Sequence, residues 1–141
     1  MAAKIANVRK VGEYQVVEVG RRVDDPIGMV GEMFTGGAPL MDTYVAVDYS
    51  SLKRSKLPLD KMREMMMALP VGKDRHYVFG VPDNMVDEVT HLSSDVQRSR
   101  GIGAGIGAGS TFVVATGTQL NAIVKQRART GADTASAVYS R

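Results

Sequence analysis

The sequence predicts an α+β fold, in which a mixed, mainly antiparallel sheet is covered by about three helices. Two observations carry this prediction. Valine-rich segments of strand length recur along the chain, and in its second half they alternate with segments whose apolar residues recur every three or four positions. Such alternation is typical of a sheet covered by helices, either α+β or a small α/β layer. The length of 141 residues fits one domain, residues 1–141.

The N-terminal part of the chain predicts two short strands followed by a long loop. Residues 4–23 are rich in valine, and Gly12 supplies the turn between the strands. Residues 24–40 combine several glycines with two prolines, so their turn chemistry predicts an extended loop. Large apolar residues in this loop do not suit water. We expect them to pack on their own domain or to contact a neighbouring subunit: Met29, Val30, Met33 and Phe34.

The middle of the chain alternates strand and helix. Residues 41–52 predict a strand. A helix is predicted over about 58–69, where Pro58 suits the first turn and an apolar stripe follows at helical spacing. Residues 75–82 predict a short buried strand. Asp83 is then expected to cap a helix over about 84–98.

The C-terminal part predicts one more strand and one more helix. The strand covers 111–116, and Thr118 is expected to cap a helix over about 119–129. Residues 132–141 are small and polar, and we expect them to form a tail that docks through a terminal anchor, Val138 and Tyr139.

Residues 100–117, RGIGAGIGAGSTFVVATG, place five glycines at alternate positions directly before a strand. Phosphate-binding loops follow a strand and open a helix, whereas here the order is helix, glycines, strand. The two isoleucines, Ile102 and Ile106, bury too little area for stable membrane insertion. Ordered glycines lose more entropy than other residues. Residues 101–110 are therefore predicted to be a flexible connector, or an arm held by a neighbouring chain that Ile102 and Ile106 contact.

The net charge of +3 is unevenly distributed. From Arg100 onward there are five basic residues and one acid, a sum of +4, so residues 1–99 sum to −1. The basic cluster Lys125, Arg127 and Arg129 on the last predicted helix could contact nucleic-acid phosphates. No aromatic residue interleaves with the cluster to stack on bases. A solvated helix end or an acidic partner subunit would explain these cations equally well.

The side-chain chemistry argues against an enzyme. The chain has no cysteine, which excludes disulfides, thiolate metal sites and a cysteine nucleophile. Of the two histidines, His76 stands at a strand entrance, and His91 lies four residues from both Asp87 and Asp95. The latter pattern could ligate a metal but is typical of a solvated helix face. We predict no catalytic residues, no metal site, no cofactor and no small-molecule substrate.

The combination of apolar loop, glycine arm and small-residue tail favours a self-assembling structural subunit. The predicted partners are copies of itself and other structural subunits. Without a membrane-spanning stretch or a signal-like N-terminus, assembly is expected in a cytoplasm. Subunits of this style are typical of virus particles, as bacteriophage capsid, decoration, tube or connector proteins. A nucleic-acid-binding accessory protein is the alternative.

Overall fold

The structure is a computed structural model that describes residues 6–35, 44–70, 75–101 and 110–126. Its strands are β1 (Ala6–Val11), β2 (Tyr14–Val19), β3 (Tyr44–Asp48), β4 (His76–Gly80) and β5 (Thr111–Ala115). Its helices are α1 (Pro26–Thr35), α2 (Leu59–Ala68), α3 (Val86–Ser99) and α4 (residues 117–126), with 3₁₀ turns at Arg54–Lys56 and Asp83–Met85. The strands form one mixed sheet in the order β1-β2-β3-β4-β5. The predicted α+β fold is confirmed.

The pairing within the sheet corrects one expectation. β1 and β2 form an antiparallel hairpin around Gly12, whose φ of 58° is the left-handed conformation that glycine tolerates. The pairs β2–β3, β3–β4 and β4–β5 are all parallel. The prediction of a mainly antiparallel sheet is therefore wrong. The reason is that a helix lies in each of the three connections. Such a crossover brings the chain back to the end of the sheet where the previous strand began, so the next strand runs parallel to it.

The prediction of an extended loop over residues 24–40 is wrong for Pro26–Thr35, which form α1. Asp25 and Pro26 are the N-cap and the first residue of a helix, a pair that also suits a turn. Two glycines weaken the helix by about 1 kcal/mol each relative to alanine. Burial of Ile27 and Val30, which are 2% and 0% exposed, offsets that cost. Residues 36–40 lie outside the described part of the chain.

The other predicted helices are found, but two caps differ. Asp83 lies in a 3₁₀ turn, and Met85 is the residue before α3, with no side-chain cap. α4 begins before Thr118, and Thr116 caps it instead. The Thr116 hydroxyl accepts from the N–H of Gln119 at 3.1 Å, and the Gln119 side chain accepts from the N–H of Thr116 at 3.0 Å. This reciprocal capping box fixes the start of α4 directly after β5.

The two faces of the sheet are covered unequally. The main core lies on the face that packs against α1, α2 and α3, and it includes Val47, Phe79 and Met66, all 0% exposed. On the other face, α4 is the one helix that the described residues provide, and it packs through Leu120 and Val124. No helix of the described residues is long and apolar enough to cross a membrane.

Candidate functional site

The two edge strands of the sheet differ in charge. β1 carries Arg9 and Lys10, and Arg9 is paired across the hairpin with Glu18 at 2.7 Å. β5, with the sequence TFVVA, has neither a charged residue nor a proline. Charges and prolines are the usual means by which edge strands resist pairing with another chain. Within the described residues, β5 is thus the edge without such protection.

The backbone of β5 presents hydrogen-bonding groups alternately to β4 and away from it. Thr111 donates to the carbonyl of Arg75 at 3.1 Å, and the carbonyl of Ala115 accepts from Val81 at 2.9 Å. Because the direction alternates along a strand, Phe112 and Val114 present their N–H and C=O groups outward. The Gln97 side chain reaches the Phe112 carbonyl at a long 3.4 Å. Apart from that bond, no described residue covers this edge with a hydrogen bond.

A row of polar and aromatic residues crosses the face that α4 partly covers. Tyr14, Tyr44, His76 and Thr111 are register neighbours at the first positions of the four parallel strands. The rings of Tyr44 and His76 stack at 4.8 Å, and Nδ1 of His76 lies 2.8 Å from the Thr111 hydroxyl oxygen. The row forms one wall of an open groove of about 330 Å³.

The next row on this face leads from the groove to the β5 edge. It contains Val16, Ala46, Val78 and Val113. The first three are buried, but Val113 is 40% exposed and also lines the groove. Apolar surface therefore continues from the groove to the outer edge of the sheet.

The structure places three of the predicted subunit contacts against their own domain. Val30 is fully buried in the main core, so it is not available to a neighbouring subunit. Met29 and Met33 are partly buried against the same core. The remaining predicted contacts lie outside the described residues or have side chains that are not described: Phe34, Ile102, Ile106, Val138 and Tyr139.

The cationic alternative is only partly described. Lys125 is exposed near the end of the described part of α4, and Arg127 and Arg129 lie outside the described residues. Of the histidines, His91 is exposed on α3 and His76 lines the open groove. No three histidine or acidic side chains in the described residues are grouped to hold a metal ion.

Comparison of the chain with protein-family models, curated proteins and solved structures finds no match. Any function proposed for the chain must therefore be inferred from its own sequence and structure. The sequence had predicted the strand at 111–116 but not its position at the sheet edge. The lack of charged residues in TFVVA indicates an unprotected edge strand, but only once the strand order shows that β5 lies at the edge of the sheet.

Proposed function

We propose that the protein is a non-enzymatic structural subunit that self-associates, and that β5 pairs with β5 of a second copy. The observation that carries this proposal is the combination of an uncharged edge strand with a half-exposed Val113. β-Strand addition at a free edge supplies affinity through the main chain. The opposite edge, with Arg9 and Lys10, is protected and serves as the internal contrast.

Antiparallel pairing about Val113 satisfies the outward backbone groups. With a two-fold axis at Val113, Phe112 faces Val114 of the second copy, and the reverse pair follows by symmetry. Both residues present outward N–H and C=O groups, so each pair exchanges two hydrogen bonds, which makes four in all. The two Val113 residues then form a pair without hydrogen bonds, in which side chains approach most closely. The Gln97 amide would release the Phe112 carbonyl.

The energetics require contacts beyond this edge. Each backbone hydrogen bond contributes about 0.5–1.5 kcal/mol net, whereas association costs about 4–15 kcal/mol in lost freedom. Four such bonds and two partly exposed valines therefore give weak pairing on their own. We propose that the arms predicted at 101–110 and 132–141 add the remaining contact area. We propose a particle of the bacteriophage virion type as the assembly, on the basis of the apolar segment, glycine arm and small-residue tail that the sequence analysis identified.

Light scattering coupled to size exclusion tests the proposal. The wild-type chain is expected to elute as a dimer or larger oligomer whose mass falls on dilution. Val113→Lys places a charge at the proposed pairing axis and should shift the mass to that of one chain. The matched control is Val8→Lys, because Val8 is 41% exposed on the edge strand that already carries charges. A monomeric wild type at high concentration, or equal effects of both substitutions, would contradict the proposal.

The nucleic-acid alternative has a separate test. Retention on heparin that is lost when Lys125, Arg127 and Arg129 are all replaced by alanine would support it. Unchanged retention of that triple variant would exclude the basic cluster as the contact.

A further inference from the structure

A second candidate site lies at the carboxyl ends of β2 and β3. A cavity of about 250 Å³ is lined there by Arg21, Ser51, Leu52, Lys53 and Lys56. Arg21 comes from the loop after β2, and the other residues come from the loop after β3. The lining contains three cationic residues and no acidic one.

The three cations of the cavity differ in how they are held. Nζ of Lys56 donates to the carbonyl of Val23 at 2.8 Å, and its side chain is only 29% exposed. Its nearest carboxylate is that of Asp24, 3.8 Å away and fully exposed. The side chains of Arg21 and Lys53 make no hydrogen bond or ion pair with any described residue. Lys56 is therefore a fixed charge in the wall, and the other two remain available to a ligand.

Two nearby cations outside the cavity have carboxylate partners. Arg54 is paired with Glu88, and Lys61 lies 3.5 Å from Asp25. Of the three lining cations, Lys56 lies 3.8 Å from the Asp24 carboxylate, whereas the side chains of Arg21 and Lys53 have no carboxylate partner among the described residues, an arrangement that an anion would stabilise.

We propose that this cavity, bounded by Arg21, Lys53 and Lys56, binds the phosphate group of a small phosphorylated molecule. A phosphate monoester carries a charge between −1.5 and −2 at neutral pH, which matches several cations better than a single carboxylate does. Arg21 and Lys53 supply N–H donors, and the Ser51 hydroxyl supplies one more. Leu52, which is only 5% exposed and belongs to the main core, contributes the apolar part of the lining.

A small molecule fits the charge distribution better than a nucleic-acid strand. The cations line one concave cavity, whereas a strand follows an extended positive groove. The exposed carboxylate of Asp24 flanks the cavity and would repel the next phosphate of a polymer. The site is at the strand ends and does not depend on the proposed β5 pairing.

Isothermal titration calorimetry at constant ionic strength tests the proposal on the full chain. The probes are phenyl phosphate, benzoate and a single-stranded oligonucleotide. We expect phenyl phosphate to bind at least tenfold more tightly than benzoate. Arg21→Ala and Lys53→Ala should each weaken phenyl phosphate binding about tenfold, the loss expected for one charge-assisted hydrogen bond.

Arg22→Ala is the matched control for this experiment. Arg22 is exposed in the same loop and has the same charge, but it does not line the cavity. Its replacement should change affinity less than twofold, and circular dichroism should show that every variant is folded. No binding of phenyl phosphate, equal binding of benzoate, equal losses in Arg22→Ala and Arg21→Ala, or preference for the oligonucleotide would each overturn the proposal.

Discussion

The carboxylate of Asp25 accepts a hydrogen bond from the backbone N–H of Gly28 at 3.1 Å and so caps α1. The carbonyl of Asp25 also accepts from the N–H of Met29 at 3.0 Å, which closes the first turn. The Asp25 side chain therefore satisfies one of the donors that a helix start leaves unpaired, and its carbonyl makes the first regular bond of the helix. The same contact leaves no room for a side chain at position 28, because a Cβ there would collide with the Asp25 carboxylate.

Alanine substitutions at the two glycines of α1 should have different effects. Gly28→Ala displaces the cap, a loss of about 1 kcal/mol that offsets the gain in helix propensity, so little net change in stability is expected. Gly31→Ala meets no atom of the described residues within 4 Å and should stabilise the protein by up to about 1 kcal/mol through helix propensity. Chemical denaturation measures both. Equal changes in the free energy of unfolding would show that the cap does not distinguish the two positions.

Two buried tyrosines should respond differently when their hydroxyl groups are removed. The Tyr49 hydroxyl is buried without a hydrogen-bond partner among the described residues, whereas the Tyr77 hydroxyl donates to the carbonyl of Pro70 at 2.5 Å. Tyr49→Phe should therefore leave the free energy of unfolding unchanged or raise it. Tyr77→Phe should lower it by about 1 kcal/mol, because the carbonyl loses its donor. Thermal and urea unfolding of the two variants test this, and a loss of more than 1 kcal/mol in Tyr49→Phe would contradict it.

Stability should fall in alkaline solution, in part through Tyr49. Burial, with a smaller contribution from the charge of Asp25, raises the pKa of Tyr49 above its ordinary value. The folded state thus retains a proton that the unfolded state releases above about pH 10. The stabilisation is complete below that pH and is lost as pH rises further.

The measurement is the free energy of unfolding of wild type and Tyr49→Phe between pH 9 and pH 11. Above pH 10, the wild-type slope should be steeper by up to about 1.4 kcal/mol per pH unit, the value for one proton. Parallel curves would show that Tyr49 ionises equally in both states. Tyr77, whose pKa is also raised by burial, is present in both proteins and cancels in the comparison.

Local sequence patterns predicted most of the helices and strands. The helix α1 and the parallel strand pairing were not predicted, because they depend on tertiary packing. The apolar stripe with Met62 and Met66 correctly indicated α2, and valine-rich segments indicated the strands. The helix α1 was missed because its glycines and Pro26 also suit turns, and only the burial of Val30 reveals which structure prevails. Missing that helix also hid the parallel pairing of β2 with β3.

The candidate sites were less accessible to sequence reasoning than the fold. The edge position of β5 depends on the strand order, which one sequence does not encode locally. The cavity cations Arg21 and Lys53 are more than thirty positions apart in the chain. The charge distribution along the sequence indicated a basic surface in the C-terminal third. Arg21 and Lys53 lie outside that third, and they come together only because the parallel sheet places the carboxyl ends of β2 and β3 side by side.

Disulfide formation by Val113→Cys tests the central claim most directly, because the chain has no cysteine of its own. Residues facing each other in an antiparallel pair without hydrogen bonds have Cα atoms about 4.5 Å apart, a separation that a disulfide spans. At a concentration where the wild-type chain is oligomeric, mild oxidation should therefore convert Val113→Cys into a covalent dimer, while the edge-strand control Val8→Cys stays largely monomeric. No cross-linking of Val113→Cys, or equal cross-linking of both variants, would contradict pairing through β5.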